Sequence, residues 1–166
     1  SIIVDPDAFD WSGDNFSMAA WNDLVIYELH LGTFNPTGNA VGTISEAQQK
    51  LDYLADLGIN AIEFMPLCEF AGSRSWGYNY GHPFAVESSY GTPEELKTFV
   101  KEAHQRGIAV FMDVLYNHWG PTDMDLWRFD GWGPSNYGGV YFYNNGRAVT
   151  PWGDTRPNYG VGQVRN

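Results

Sequence analysis

Gly58 and Gly107 each close a helical pattern, and in both places an apolar strand pattern begins at the very next residue. Joins that short force the order strand, helix, strand, helix, strand into a parallel sheet with crossover helices. The first strand signal is DLVIYELHLG, Asp23 to Gly32, rich in β-branched and aromatic residues and closed by glycine. In GTISEAQQKLDYLADLG, Ile44, Ala47, Leu51, Leu54 and Leu57 recur every three or four residues, Thr43 or Ser45 can cap the start, and Gly58 suits a left-handed stop. INAIEFMPL is a second strand ended by Pro66. YGTPEELKTFVKEAHQRG predicts a second helix with Thr92 as N-cap, Pro93 at the first helical position and Glu95 completing a capping box. Its apolar stripe is Leu96, Phe99, Val100 and Ala103. The pattern predicts parallel strands near 24–31, 59–65 and 108–114, and helices near 43–57 and 93–106 on one face.

The joins after strands are long, running from Gly32 to Gly42, from Pro66 to Gly91 and onward from Asn117. Polar and aromatic loops therefore gather at the C-terminal ends of the strands, where α/β proteins place their sites. Asp113, Asn117 and His118 fall at that rim. Aromatic residues make up 16% of the chain, and from Trp76 onward they lie among Gly, Pro, Asn and Asp, where they can pack under their own loops or stack on flat ligands such as sugars. No G-x-G-x-x-G or Walker pattern joins a strand to a helix, so a part of a (β/α) barrel fits better than a nucleotide-binding sheet. Twenty acidic against nine basic residues give a net charge of -11, which argues against nucleic acid and anionic membranes as partners. A single cysteine, Cys68, and no long apolar run point to a reducing compartment, the cytoplasm, and to no membrane span. The spacing of His30, His82, His104 and His118 matches no zinc pattern. Glu28 and Glu63 stand inside predicted strands; a network with His30 and Asp113 or an outward orientation are equally open.

The stretches YELHLGTFNPTG, WGYNYGHPFAVESSYGTPEELKTFVKEAHQRGI and DVLYNH together resemble the α-amylase superfamily, glycoside hydrolase family thirteen, over nearly the whole chain. YELHLGTF and YNHWGP are most similar to the branch of maltooligosyltrehalose trehalohydrolases and α-glucan branching enzymes, which would place the protein in glycogen or trehalose metabolism. The resemblance implies an incomplete (β/α)8 TIM barrel: residues 1–23 a linker from an N-terminal module, 24–120 the first three strands and two helices, and 121–166 a loop excursion with a hairpin around NNG within Tyr137 to Trp152. It also implies roles. Tyr78 would lie under the sugar ring, His118 would hydrogen-bond that sugar, Asp113 would support the site, and Trp76 would stand nearby. Asn117 matches a calcium ligand of many secreted α-amylases, but no acidic loop supports such a site, so no metal and no cofactor are expected.

The expected activity is retaining hydrolysis or transfer on α-1,4-linked glucose chains by the parent enzyme. The family's nucleophile and general acid follow later strands, so the 166 residues alone are expected to be inactive. The expected partners are an α-glucan or maltooligosaccharide, and the rest of the barrel or a second copy over the open strand edges. The competing readings are a carbohydrate-binding module without chemistry and a βα subunit completed by another chain.

Overall fold

The computed structural model describes residues 3–131 and 137–165. In chain order its regular elements are β1 (Ile26–Leu29), α1 (Ile44–Gln48), α2 (Leu51–Asp56), β2 (Ala61–Phe64), β3 (Cys68–Phe70), β4 (Tyr80–Val86), α3 (Pro93–Gln105), β5 (Ala109–Met112), β6 (Trp119–Pro121), β7 (Asp154–Thr155) and α4 (Gly162–Arg165). They divide into two units, one of residues 1–67 and 86–113 and the other of 68–85 and 114–166. Among the described residues no helix is long and apolar enough to cross a membrane.

The first unit is the expected parallel sheet. β2 is central, with β1 and β5 parallel on either side, and Leu29, Phe64 and Met112 share one row. Alternation sends Tyr27, Leu29, Ile62 and Phe64 to one face, where Phe64 meets Phe99 of α3 at 5.1 Å between ring centroids. Ile44, Ala47, Leu51 and Leu54 are buried beside them. The other face carries Glu28, Glu63 and Phe111 in one row. Glu28 is exposed and Glu63 half-buried, so neither carries the desolvation cost of an enclosed carboxylate.

Both helix starts follow the sequence chemistry. Thr43 and Glu46 form a capping box on α1, as do Thr92 and Glu95 on α3, where Pro93 opens the helix. Ser45 Oγ donates to Glu95 Oε1 at 2.9 Å, so one carboxylate serves both helix starts. Gly58 and Gly107 end their helices at φ +89° and +74°. The helix expected over 43–57 is divided. Lys50 N–H reaches back only three residues, to Ala47 C=O at 2.9 Å, which tightens one turn between α1 and α2 without interrupting the buried stripe. Leu57, assigned to that stripe, is 56% exposed because α2 has already ended.

Four carboxylates in this unit titrate below their ordinary range: Glu46 through Thr37 and Thr43, Glu95 chiefly through the Thr92 N–H, Asp14 chiefly through His104, and Asp10 chiefly through the Ser12 hydroxyl. A depressed folded-state pKa contributes stability above the unfolded value and loses it as pH falls through the folded value. The denaturant midpoint should therefore hold near neutrality and decline below about pH 4.5. Glu46→Gln and Glu95→Gln should each lower the neutral midpoint and flatten that decline; a decline as steep as wild type in both would remove the capping carboxylates as its source.

The second unit is built on aromatic packing. β3 and β4 form a two-stranded sheet within the segment expected to be loop. β6 pairs antiparallel with β7 through a bulge, with Trp119 opposite Thr155. Tyr80, Trp119 and Phe142 form its buried cluster, packed by Met124, Leu126, Trp127 and Tyr141. The hairpin expected around NNG is absent. Phe142 bridges Pro157 and Val149 bridges Thr155, so both arms pair with the 155–157 segment rather than with each other. The bonds of Tyr143 N–H to Arg156 C=O and of Arg156 N–H to Ala148 C=O follow that course.

Candidate functional site

Asp113 is the first residue beyond β5. Its N–H continues the ladder to Phe64 C=O at 2.9 Å, and its side chain is half-buried on the face that carries Glu63 and Phe111. It belongs to the first unit. Tyr78, Trp76, Asn117 and His118 belong to the second.

The second unit fixes His118 from three directions. Ahead of it, two phenols hold consecutive carbonyls: Tyr80 donates to Leu115 C=O, and Tyr159 to Tyr116 C=O at 2.5 Å. Burial pushes both phenols up, so each remains a donor at any pH near neutrality. On the imidazole, Nδ1 lies 2.7 Å from Asn117 Oδ1 and Nε2 lies 3.5 Å from Asp154 Oδ2. Behind it, the pairing of Trp119 with Thr155 brings the turn before β7 alongside. Thr150 Oγ receives the Asp154 N–H at 2.9 Å, and Asp154 Oδ2 in turn receives Trp152 Nε1–H at 2.8 Å. Trp152 meets the His118 ring edge to face at 5.5 Å and is 63% exposed. An imidazole, a carboxylate and an open indole thus share one spot, a chemistry suited to a ligand with both hydroxyls and C–H faces.

The turn carrying Trp76 and Tyr78 is shaped by Gly77, at φ +90°, whose N–H bonds Ser75 Oγ at 3.0 Å. It leaves Trp76 exposed and Tyr78 half-buried. Its end rests on β6, because Gly120 has no side chain: a Cβ there would lie 2.6 Å from Asn79 O and 3.1 Å from Tyr80 O. This packing sets the turn two residues from His118 along the chain of β6. Separately, a cleft of about 810 Å³ in this unit is lined by Phe84, Tyr116, Trp119, Tyr141 and Tyr159, with His82, Gln163 and Arg165.

The remaining histidines have local partners. His104 pairs with Asp14 at 2.7 Å and stacks on Phe16, and His82 lies 3.7 Å from Asp125. Among the described residues no three His, Cys, Asp or Glu side chains gather as a metal site, and Asn117 Oδ1 is engaged with His118. Sequence reasoning named His118 but not its neighbours Trp152 and Asp154. Their only local signal is the Thr-Pro-Trp-Gly-Asp turn, whose proximity to His118 depends on a strand pairing 36 residues away along the chain.

Three parallel strands alternating with helices, with long loops after the strands, define a partial α/β fold. The chain belongs to the α-amylase family, its residues 16–157 matching the alpha amylase catalytic domain. It is 42% identical over 155 residues to the malto-oligosyltrehalose trehalohydrolase of Saccharolobus solfataricus, covering 93% of this chain and 25% of that protein. It is 40% identical over 151 residues to the Deinococcus radiodurans enzyme of the same name, covering 91% and 23%. A crystal structure of an alpha-amylase-type protein from Salmonella typhimurium superposes with a TM-score of 0.82 at 37% identity, over 98% of this chain and 25% of that one. The chain thus spans about a quarter of the length of these relatives.

Proposed function

We propose that this chain supplies the first strands of the catalytic barrel of a retaining α-glucan hydrolase of the trehalohydrolase type, acting on α-1,4-linked glucose chains. The observation that carries the reading is the cluster of His118, Trp152 and Asp154, supported by relatives named for that activity. In this reading His118 hydrogen-bonds a glucose hydroxyl and Tyr78 stacks on the ring face, and Asp113 is not assigned the role of nucleophile. Trp152 and Trp76 offer further ring faces. Neither Glu28 nor Glu63 is assigned as acid or nucleophile in this reading, because the family resemblance places both catalytic carboxylates after later strands. The chain alone therefore binds without turning over, and the remaining part of the barrel supplies both catalytic carboxylates and covers the open edges of β1 and β5. A reducing cytoplasm, which keeps Cys68 a thiol, suits this reading.

Maltooligosaccharides titrated into the chain should change its tryptophan fluorescence, with affinity on the order of millimolar, since one wall of a site repays little of the ordering cost. His118→Ala should weaken binding by about 3- to 10-fold, the worth of a hydrogen bond or two, and Trp152→Ala should remove most of the spectral change. Unchanged binding in both variants would sink the proposed site. Hydrolysis of amylose by the purified chain, abolished by Glu63→Gln, would overturn the assignment of catalysis to residues outside it.

A further inference from the structure

His30 follows β1 directly, on the sheet face that carries Glu28, and no role has yet been given to it. Thr33 Oγ donates its hydrogen to His30 C=O at 3.2 Å. A hydroxyl has one hydrogen, so toward His30 Nδ1, 3.1 Å away, the same oxygen is an acceptor. With the hydroxyl so oriented, a neutral ring carries its proton at Nδ1 and turns a lone pair at Nε2 toward Tyr90 Oη, 3.2 Å away. Tyr90 is 1% exposed, and it also takes a hydrogen bond from the Gly32 backbone N–H. Its phenol is pushed up to about 12, chiefly by burial, so its hydrogen is present to donate at any physiological pH.

We infer that this closed ring of hydrogen bonds holds His30 in the Nδ1–H tautomer, and that Tyr90 is the positioning residue that keeps it there. In water the neutral imidazole favours the opposite tautomer, so the surroundings must impose this one. Gly32 completes the device. A Cβ at that position would lie 3.1 Å from His30 Cε1 and 3.1 Å from Tyr90 Oη, so a side chain there would press the two rings by a few tenths of an ångström. In that tautomer Nδ1 faces the Thr33 hydroxyl and Nε2 faces the Tyr90 phenol. His30 fixes the first turn of the loop after β1, where Phe34 N–H bonds His30 C=O at 3.0 Å and Gly42 N–H bonds Gly32 C=O at 2.9 Å. The relevance of that turn to a sugar site rests on the reading above; the tautomer does not.

The test is imidazole nitrogen NMR on the labelled chain at an alkaline pH where its four histidines are neutral, with His30 assigned through His30→Gln. His30 should show a protonated Nδ1 and an unprotonated Nε2. Tyr90→Phe keeps the ring but removes the donor, and should move His30 toward Nε2–H. Thr33→Val, at an exposed position, should do the same by removing the acceptor, and decides the matter should Tyr90→Phe fail to fold. A wild-type His30 with its proton on Nε2, or variants that fold and leave the tautomer unchanged, would overturn the inference. None of these readouts uses glucan binding, so they stand or fall apart from the proposed function.

Discussion

Replacing Phe64 by alanine is expected to destabilise the first unit by about 3–5 kcal/mol, the range for deleting a buried aromatic ring. Phe64 is 0% exposed in the central strand and packs on Phe99, itself 0% exposed. Removing the ring forfeits its transfer energy and leaves a cavity that α3 and β2 cannot close, because both are held by neighbours on either side. Urea denaturation followed by circular dichroism measures the effect. Phe84→Ala provides the control, since Phe84 is 93% exposed and its loss should fall within about 0.5 kcal/mol of zero. Equal destabilisation by the two changes would mean that the sheet-to-helix core is wrongly described.

The second large effect is expected at Gly120. An added methyl would stand 2.6 Å from Asn79 O, a backbone atom that cannot rotate away. Gly120→Ala should therefore cost about 1–3 kcal/mol by overpacking, and it should displace the turn of Trp76 and Tyr78 from β6. Weaker maltooligosaccharide binding should accompany the loss of stability. Gly81→Ala separates the two causes: its methyl would meet only Met124 Cβ at 3.6 Å, an ordinary contact. A Gly120→Ala variant as stable and as competent in binding as Gly81→Ala would show that the turn does not depend on that close approach.

What could be read from the sequence was what short-range chemistry decides. Thr92, Pro93 and Glu95 announce a helix start within four residues, and the structure has the capping box there. Three apolar runs separated by helices predicted parallel strands, because joins of one residue leave no other pairing. The division of α1 from α2 was invisible, since the apolar spacing is the same on both sides of the tightened turn. The second unit defeated local reasoning. Asn145-Gly146 looks like a hairpin turn, but Phe142 and Val149 find partners at Pro157 and Thr155, and a third segment wins the pairing. β4 was hidden by Pro83 and Gly81 within it. His118 was legible through its motif. Trp152 and Asp154 were not, because they reach it only through the pairing of β6 with β7.

The carboxylate of Glu95 has a consequence for how the first unit opens. It accepts the Thr92 N–H at 2.7 Å and the Ser45 hydroxyl at 2.9 Å, and Ile44 N–H bonds Tyr90 C=O at 2.9 Å just ahead of it. Helix ends ordinarily fray independently, each exposing its own orphan donors. Here the leading turn of α1, capped by Thr43 and Glu46, also shares its Ser45 hydroxyl with the carboxylate that caps α3. Two turns some 50 residues apart in sequence are thereby joined by one side-chain contact. Protonation of Glu95 would therefore weaken the cap of α3 and, in the same step, its tie to Ser45 on α1.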